Sequence, residues 1–137
     1  MYATADDMRA RYGEQAIVQL TDTDSWGAAT IAAVNVKLAS ATARADGYVA
    51  RYYQQSLGVA VPPLLVEIVC EIAYADLHKA PTEEADKRRK LAIADLVNIS
   101  KGLVKLDQGA AEIPSREGQV IVPDRVRTFS RDSLGGF

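Results

Sequence analysis

The stretch that most constrains the fold is residues 30–55, in which apolar residues recur at alternating spacings of three and four. This spacing keeps side chains on one side of an α-helix that turns every ~3.6 residues. The recurring residues are Ile31, Val34, Leu38, Ala41, Ala45, Tyr48 and Tyr52. The pattern predicts one long helix with a buried inner seam, around which the remaining chain is organised.

A second row of mostly small side chains follows the same rhythm one residue later, about 100° around the helix axis. This outer row consists of Ala32, Val36, Ala39, Ala43, Asp46 and Ala50. Small side chains let another backbone approach closely, so we expect the helix to pack on the core with the inner seam and on a neighbour with the outer row. The remaining face carries Lys37, Arg44 and Arg51, which could line a channel or meet an acidic partner.

Length and composition fit one ordinary globular unit. The chain has 137 residues, of which 48% are hydrophobic and 25% charged, values typical of a folded domain. A net charge of −2 and a pI near 5.4 give no general affinity for nucleic acid or an anionic membrane. No targeting segment or membrane span is recognisable, and one cysteine cannot form an internal disulfide, so we expect a soluble protein in a reducing compartment.

Four further helices are predicted around the long one. Thr4 caps a short helix that Gly13 closes, and residues 14–20 add another. After Pro63, residues 64–78 carry the most apolar stripe of the chain. The last helix starts at Thr82, includes Leu91 on its inward side and ends before Gly102. The fold class is therefore all-α, a small helical bundle over residues 1–106.

Residues 107–137 have a different character, because small, polar and helix-breaking residues replace the helical periodicity. They predict an extended C-terminal interaction arm. Val120, Ile121 and Val122 favour a β-strand or hairpin that pairs with another chain. Apolar and basic side chains then alternate irregularly toward the end, at Arg125, Arg127, Phe129, Arg131, Leu134 and Phe137.

Residues suited to catalysis or metal binding are few. Asp22, Asp24 and Gly27 match three positions of a calcium loop, but Trp26 and Ala33 stand where oxygen ligands are expected. The two aspartates are weak ion-binding candidates, and turn and capping carboxylates are the favoured interpretation. His78 and Cys70 lack partners in the sequence and are interpreted as a surface or satisfied histidine and a buried small hydrophobe. We expect no enzyme activity, no bound metal and no cofactor.

Four consecutive cations occur in the last helix. Lys87, Arg88, Arg89 and Lys90 could contact phosphate, but Glu83, Glu84 and Asp86 lie within reach of i,i+4 pairing. A salt-bridged, solvated face is the favoured interpretation.

Several short segments resemble the Mu-like phage head-tail joining proteins, a family also catalogued as phage or prophage proteins of unknown function. The segments are MYATADDM at residues 1–8, RYG at 11–13, QLTD at 19–22, ADGYV at 45–49, PPLL at 62–65, CEIA at 70–73 and FSRDSLGGF at 129–137. Their order and spacing carry the resemblance over essentially the whole chain. The turn at residues 22–27 has fewer aspartates and glycines than its counterparts in the family.

The resemblance implies a virion structural protein rather than an enzyme. It implies a head-tail connector, or adaptor, that forms a homo-oligomeric ring, typically of twelve subunits, below the portal protein at the neck of the virion. Before assembly such a protein resides in the host cytoplasm. The outer row would face an adjacent subunit, the arm would bind the portal or the next ring, and the basic face would meet packaged DNA or an acidic neighbour.

Two alternatives remain open at this point. A stopper or tail-completion protein of the same virion would differ in its partner ring rather than in its chemistry. A small DNA-binding regulatory module would use the basic helix faces instead.

Overall fold

The computed structural model describes residues 1–54 and 58–106, and within them the chain forms five α-helices and no strands. The helices are α1 (Ala5–Tyr12), α2 (Glu14–Thr21), α3 (Ala28–Val49), α4 (Pro63–Leu77) and α5 (Glu83–Ser100). The all-α prediction is confirmed for this part. The predicted arm, with its strand at Val120–Val122, lies outside the described residues.

The first two helices begin and end at the residues that the sequence indicates. Thr4 and Asp7 form a reciprocal capping box, in which each side chain accepts a hydrogen bond from the other's backbone N–H. Gly13 then separates α1 from α2 with a φ of +84°, a backbone conformation that glycine adopts without steric cost. The short helices predicted here are confirmed.

The long helix α3 is shorter than predicted at its C-terminal end. It begins after Gly27 without a hydrogen bond from a capping side chain, and the buried Thr30 hydroxyl donates to the Ser25 carbonyl at 2.9 Å. Beyond Val49 the prediction of a continuing helix was wrong. The chain turns there because two tyrosines anchor it elsewhere.

These two tyrosines fix the path of the chain after α3. The Tyr53 ring is buried, and its hydroxyl donates to the Val59 carbonyl at 3.0 Å. The Tyr52 hydroxyl donates to the Ser100 carbonyl at the end of α5, at 3.3 Å. Both acceptors lie outside α3, so no pattern within residues 30–55 could reveal them.

Helices α4 and α5 follow their predicted boundaries. Pro63 occupies the first turn of α4, and the Thr82 hydroxyl accepts from the Ala85 N–H at 3.2 Å to cap α5. At the end of α5, Gly102 has a φ of +74°, and the N–H groups of Gly102 and Leu103 donate to the carbonyls of Ile99 and Asn98. This is a Schellman ending, which requires a left-handed residue at the position of Gly102.

The core lies between α3, α4 and α5, each of which packs against the other two, while α1 and α2 pack on α3. Fully buried side chains include Val34, Leu38, Leu65, Ile72 and Leu96. Burying one such aliphatic side chain contributes roughly 1.5–3 kcal/mol. Leu91, predicted to face inward, is instead 58% exposed because α5 directs it toward solvent beside α4.

Candidate subunit and partner interface

The outer row of α3 is exposed along its whole length. Val36 is 66% exposed, and the small residues of the row are all exposed as well. These small residues are Ala32, Ala39, Ala43 and Ala50. Within the inner seam, Val34, Leu38, Ala41 and Ala45 have 0% exposure, and Ile31 and Tyr48 are partly buried. The prediction that Tyr52 continues the buried seam was wrong: its side chain is 38% exposed, because α3 ends at Val49. The helix thus packs on the core with one face and leaves a smooth second face uncovered by the described residues.

The N-terminal segment runs beside the C-terminal half of the outer row. The Tyr2 hydroxyl donates to the Asp46 carboxylate, and the Tyr2 N–H donates to the Thr42 hydroxyl at 3.4 Å. Burial, followed by the nearby Asp46 carboxylate, raises the pKa of Tyr2 above its usual range. Asp46 is therefore held by the protein's own N-terminus, whereas the alanines of the row remain uncovered.

The three cations of the remaining α3 face have different surroundings. Arg44 is half-buried, with Nη1 4.0 Å from Oδ2 of Asp76. Lys37 is also half-buried and makes no ion pair within the described part of the chain. Arg51 lies near the end of the helix, with its guanidinium 6.0 Å from the centre of the Tyr52 ring.

Asp76 is a site residue that sequence reasoning missed. Its carboxylate lies between Arg44 of α3 and Arg89 of α5, the latter with Nε 3.4 Å from Oδ1, so it links three helices. The buried nitrogens Arg44 Nη1 and Arg89 Nε make no hydrogen bond in this arrangement. One carboxylate thus faces two guanidiniums. The only sequence signal was an acid near the end of the most apolar helix.

A cleft of about 430 Å³ opens beside this cluster, between α3, the end of α4 and the first half of α5. We call it the basic cleft. It is lined by Val36, Lys37, Ser40, Ala75, Asp76, His78, Pro81 and Arg89. Its two cations, Lys37 and Arg89, outnumber its single carboxylate, Asp76. Val36 lines the cleft and also belongs to the outer row.

A second depression, of about 300 Å³, lies between α4 and α5. We call it the acidic groove. It is lined by Leu64, Glu67, Ile68, Glu71, Arg88, Leu91, Ala92 and Asp95. Glu67 lies 3.4 Å from Arg11, and Arg88 donates to Glu84 at 2.8 Å, while the exposed Asp95 makes no ion pair with any described residue. Carboxylates therefore dominate this surface.

The basic run on α5 is salt-bridged, as predicted. Arg88 pairs with Glu84 at 2.8 Å, Lys90 pairs with Asp86 at 2.7 Å, and Arg89 faces Asp76. The hydrogen bond from Arg88 to Glu84 raises the pKa of the guanidinium further. Within residues 1–54 and 58–106, Lys87 is the member of this run that has no ion pair.

The residues singled out for ion binding and acid-base chemistry have ordinary surroundings. Asp22 ends α2 in the left-handed conformation, with a φ of +53°, and its carboxylate pairs with Lys79; Asp24 is exposed in the turn that follows. In the described part of the chain, no three His, Cys, Asp or Glu side chains group closely enough to hold a metal ion. Cys70 is buried as predicted, and burial raises the pKa of its thiol to about 11.

Three rings link α1 to the end of α4. Tyr12 stacks on Tyr74 with ring centroids 4.0 Å apart, and His78 meets Tyr74 edge-on at 5.1 Å. The His78 Nδ1–H donates to the Tyr74 carbonyl at 3.0 Å, which confirms a satisfied histidine. Burial, followed by the adjacent Glu71 carboxylate, raises the pKa of the Tyr12 hydroxyl well above its usual range.

One family model matches most of the chain. The family model described as bacteriophage Mu, Gp36 matches residues 2–123. The chain belongs to this family. The prediction of a Mu-like phage protein is thereby confirmed, and the match includes all five helices and Val120–Val122. The family description names no role, so head-tail joining remains a prediction.

Two other findings accompany the family match. A search of the curated proteins finds no match. None of the helices in residues 1–54 and 58–106 combines the length and apolar character that crossing a bilayer would require.

Proposed function

We propose that this phage protein is a non-enzymatic structural component of the virion, a head-tail connector or adaptor. Copies of the chain form a ring below the portal protein, typically of twelve subunits, and join the DNA-filled head to the tail. The ring occupies the neck of the virion. Before assembly the protein resides in the host cytoplasm.

The structural observation that supports the ring is the uncovered outer row of α3. A face of small residues beside the buried part of the inner seam leaves room for a neighbouring backbone to approach closely. A contact between two different patches of identical subunits closes into a ring when its rotation permits. Membership of the Gp36 family of bacteriophage Mu supports assembly within a phage particle.

The C-terminal arm is proposed to bind the portal or the next ring. Val120–Val122 would add a strand to a partner's sheet edge, and Phe129, Leu134 and Phe137 would occupy pockets between contacts made by Arg125, Arg127 and Arg131. Deleting residues 123–137 should leave a folded helical body that no longer co-sediments with portal rings. Normal binding by the shortened protein would contradict this role for the arm.

The choice between adaptor and stopper is a choice of partner. An adaptor should be retained by purified portal rings of the same phage, whereas a stopper or tail-completion protein should be retained by purified neck or tail-tube protein instead. The same pull-down, with the full chain as prey, separates the two roles.

The ion pairs of α5 favour a structural role over a DNA-binding regulatory module. Acids within the chain engage Arg88, Arg89 and Lys90, which leaves fewer cations for phosphate. Contact with packaged DNA would then be weak and non-specific, through the basic face of α3. Duplex binding measured from about 50 to about 200 mM salt should show no affinity above the non-specific range.

A further inference from the structure

We propose that the basic cleft of one subunit receives the α4–α5 edge that carries the acidic groove of the next subunit. This inference rests on the proposed ring and specifies its contact: the occupant of the basic cleft is a second copy of this chain. The outer row of α3, which shares Val36 with the basic cleft, forms the adjoining part of the same interface.

The two surfaces have opposite net charge, and each has at least one charged side chain that makes no ion pair with the described residues. In the basic cleft, Lys37 has no ion pair within residues 1–54 and 58–106, and Arg89 shares the Asp76 carboxylate with Arg44. In the acidic groove, Asp95 is exposed and likewise has no ion pair there. Opposite potentials of this kind orient two surfaces and fix their register.

Each surface also presents an aliphatic side chain that the monomer leaves in water. Val36 lines the basic cleft and is 66% exposed, and Leu91 lines the acidic groove and is 58% exposed. Contact between the two surfaces would cover both side chains. Apolar centres with a charged surround are the usual arrangement at protein interfaces.

The positions of the surfaces on α5 suit a head-to-tail contact. Arg89 points to the basic cleft, whereas Leu91 and Asp95 point to the acidic groove, about 200° and about 240° further around the helix at ~100° per residue. The two patches therefore lie on different sides of the subunit. A subunit can use both at once, each with a different neighbour, as ring closure requires.

The test is a charge exchange between two variants of the full chain, Lys37→Glu and Asp95→Lys. Alone, each variant places like charges in every contact, so its assembly on purified portal rings should need at least about tenfold more protein than the wild type. Mixed in equal amounts, the two variants can alternate, and every contact then has opposite charges. The mixture should assemble within about threefold of the wild-type concentration, as measured by sedimentation and particle mass.

Lys87→Glu is the matched control, because it makes the same change at an exposed α5 position outside both surfaces. It should assemble like the wild type. Thermal unfolding monitored by circular dichroism checks the fold of each variant, and Lys37→Gln with Asp95→Asn provides milder variants that should each weaken assembly.

The outcomes distinguish two claims: that the basic cleft contacts the acidic groove of the next subunit, and that copies of the chain form a ring. If the wild type assembles but the single variants assemble equally well, or their mixture does not recover, the pairing is wrong and the ring stands. If the wild type itself forms no oligomer on portal rings, the proposed ring fails and the pairing fails with it.

Discussion

The two faces of α3 carry similar residues in opposite surroundings. Val34, Leu38, Ala41 and Ala45 are fully buried in the core, whereas Val36, Ala39 and Ala43, one or two residues further along the helix, are exposed. The inner seam contains larger aliphatics that the core needs for burial. The outer row offers mainly Cβ atoms and little area to bury within one subunit. The inner seam therefore stabilises the fold of the subunit, and the described residues leave the outer row exposed.

The most direct test of this difference between the two faces is to place a carboxylate on each face in turn. Ala41→Glu puts a carboxylate at a position with 0% exposure, so we expect the free energy of unfolding to fall by several kcal/mol, on the order of 3–5, or the protein not to fold. Ala39→Glu should change it by less than about 0.5 kcal/mol. Urea unfolding measures both, and equal losses would show that the outer row belongs to the core.

A second pair of variants tests the same difference by removing side-chain volume instead of adding charge. Leu38→Ala should lower the free energy of unfolding by about 2–5 kcal/mol, because it leaves a cavity between α3 and the helices packed on it. Val36→Ala, on the exposed face, should change it by less than about 0.5 kcal/mol. Chemical denaturation of the two variants side by side checks the contrast; a costly Val36→Ala would mean that the outer row is already packed.

The burial of Cys70 in the core can be tested through the pH dependence of the free energy of unfolding. Its folded-state pKa is raised from 9.0 to about 11, so the unfolded thiol ionises first as pH rises. Stability is therefore full below pH 9 and declines between pH 9 and 11, by on the order of 2–3 kcal/mol from this thiol. Urea unfolding across that range should show a smaller decline for Cys70→Ala than for the wild type. Parallel declines would mean that the thiol is not desolvated.

A smaller loss than that of Leu38→Ala is expected at Asp76 of α4, whose carboxylate faces Arg44 of α3. Asp76→Asn removes the carboxylate that faces Arg44 and Arg89, but both guanidiniums are about one-third exposed and water screens them. We expect a loss of about 1 kcal/mol, measured by thermal unfolding, with a smaller difference in high salt. A loss as large as that of Leu38→Ala would show that the cluster is a core element.

Local signals in the sequence predicted most of the fold. Thr4, Thr82 and Gly102 begin or end helices through contacts with residues at most a turn or so away, so the pattern of nearby residues was sufficient. The buried part of the inner seam, from Val34 to Ala45, followed from periodicity alone. In the same way, the burial of Cys70 followed from its apolar surroundings in the sequence.

Contacts between distant segments account for what the sequence did not reveal. The chain leaves helix after Val49 because Tyr52 and Tyr53 bond to groups outside α3. Likewise, the Asp76 cluster unites three helices, and the exposure of Leu91 depends on how α5 is rotated against α4. Each of these features depends on the relative placement of helices. The periodicity of residues within one helix carries no information about that placement.

The most direct test of the central claim is the particle mass of the full chain bound to portal rings of its phage, measured for the wild type and for Ala39→Glu. We predict a ring of many copies for the wild type. Ala39→Glu, with an unchanged thermal unfolding temperature, should yield far fewer bound copies. A variant that assembles with the wild-type mass, or a wild type that binds as isolated single copies, would contradict the account.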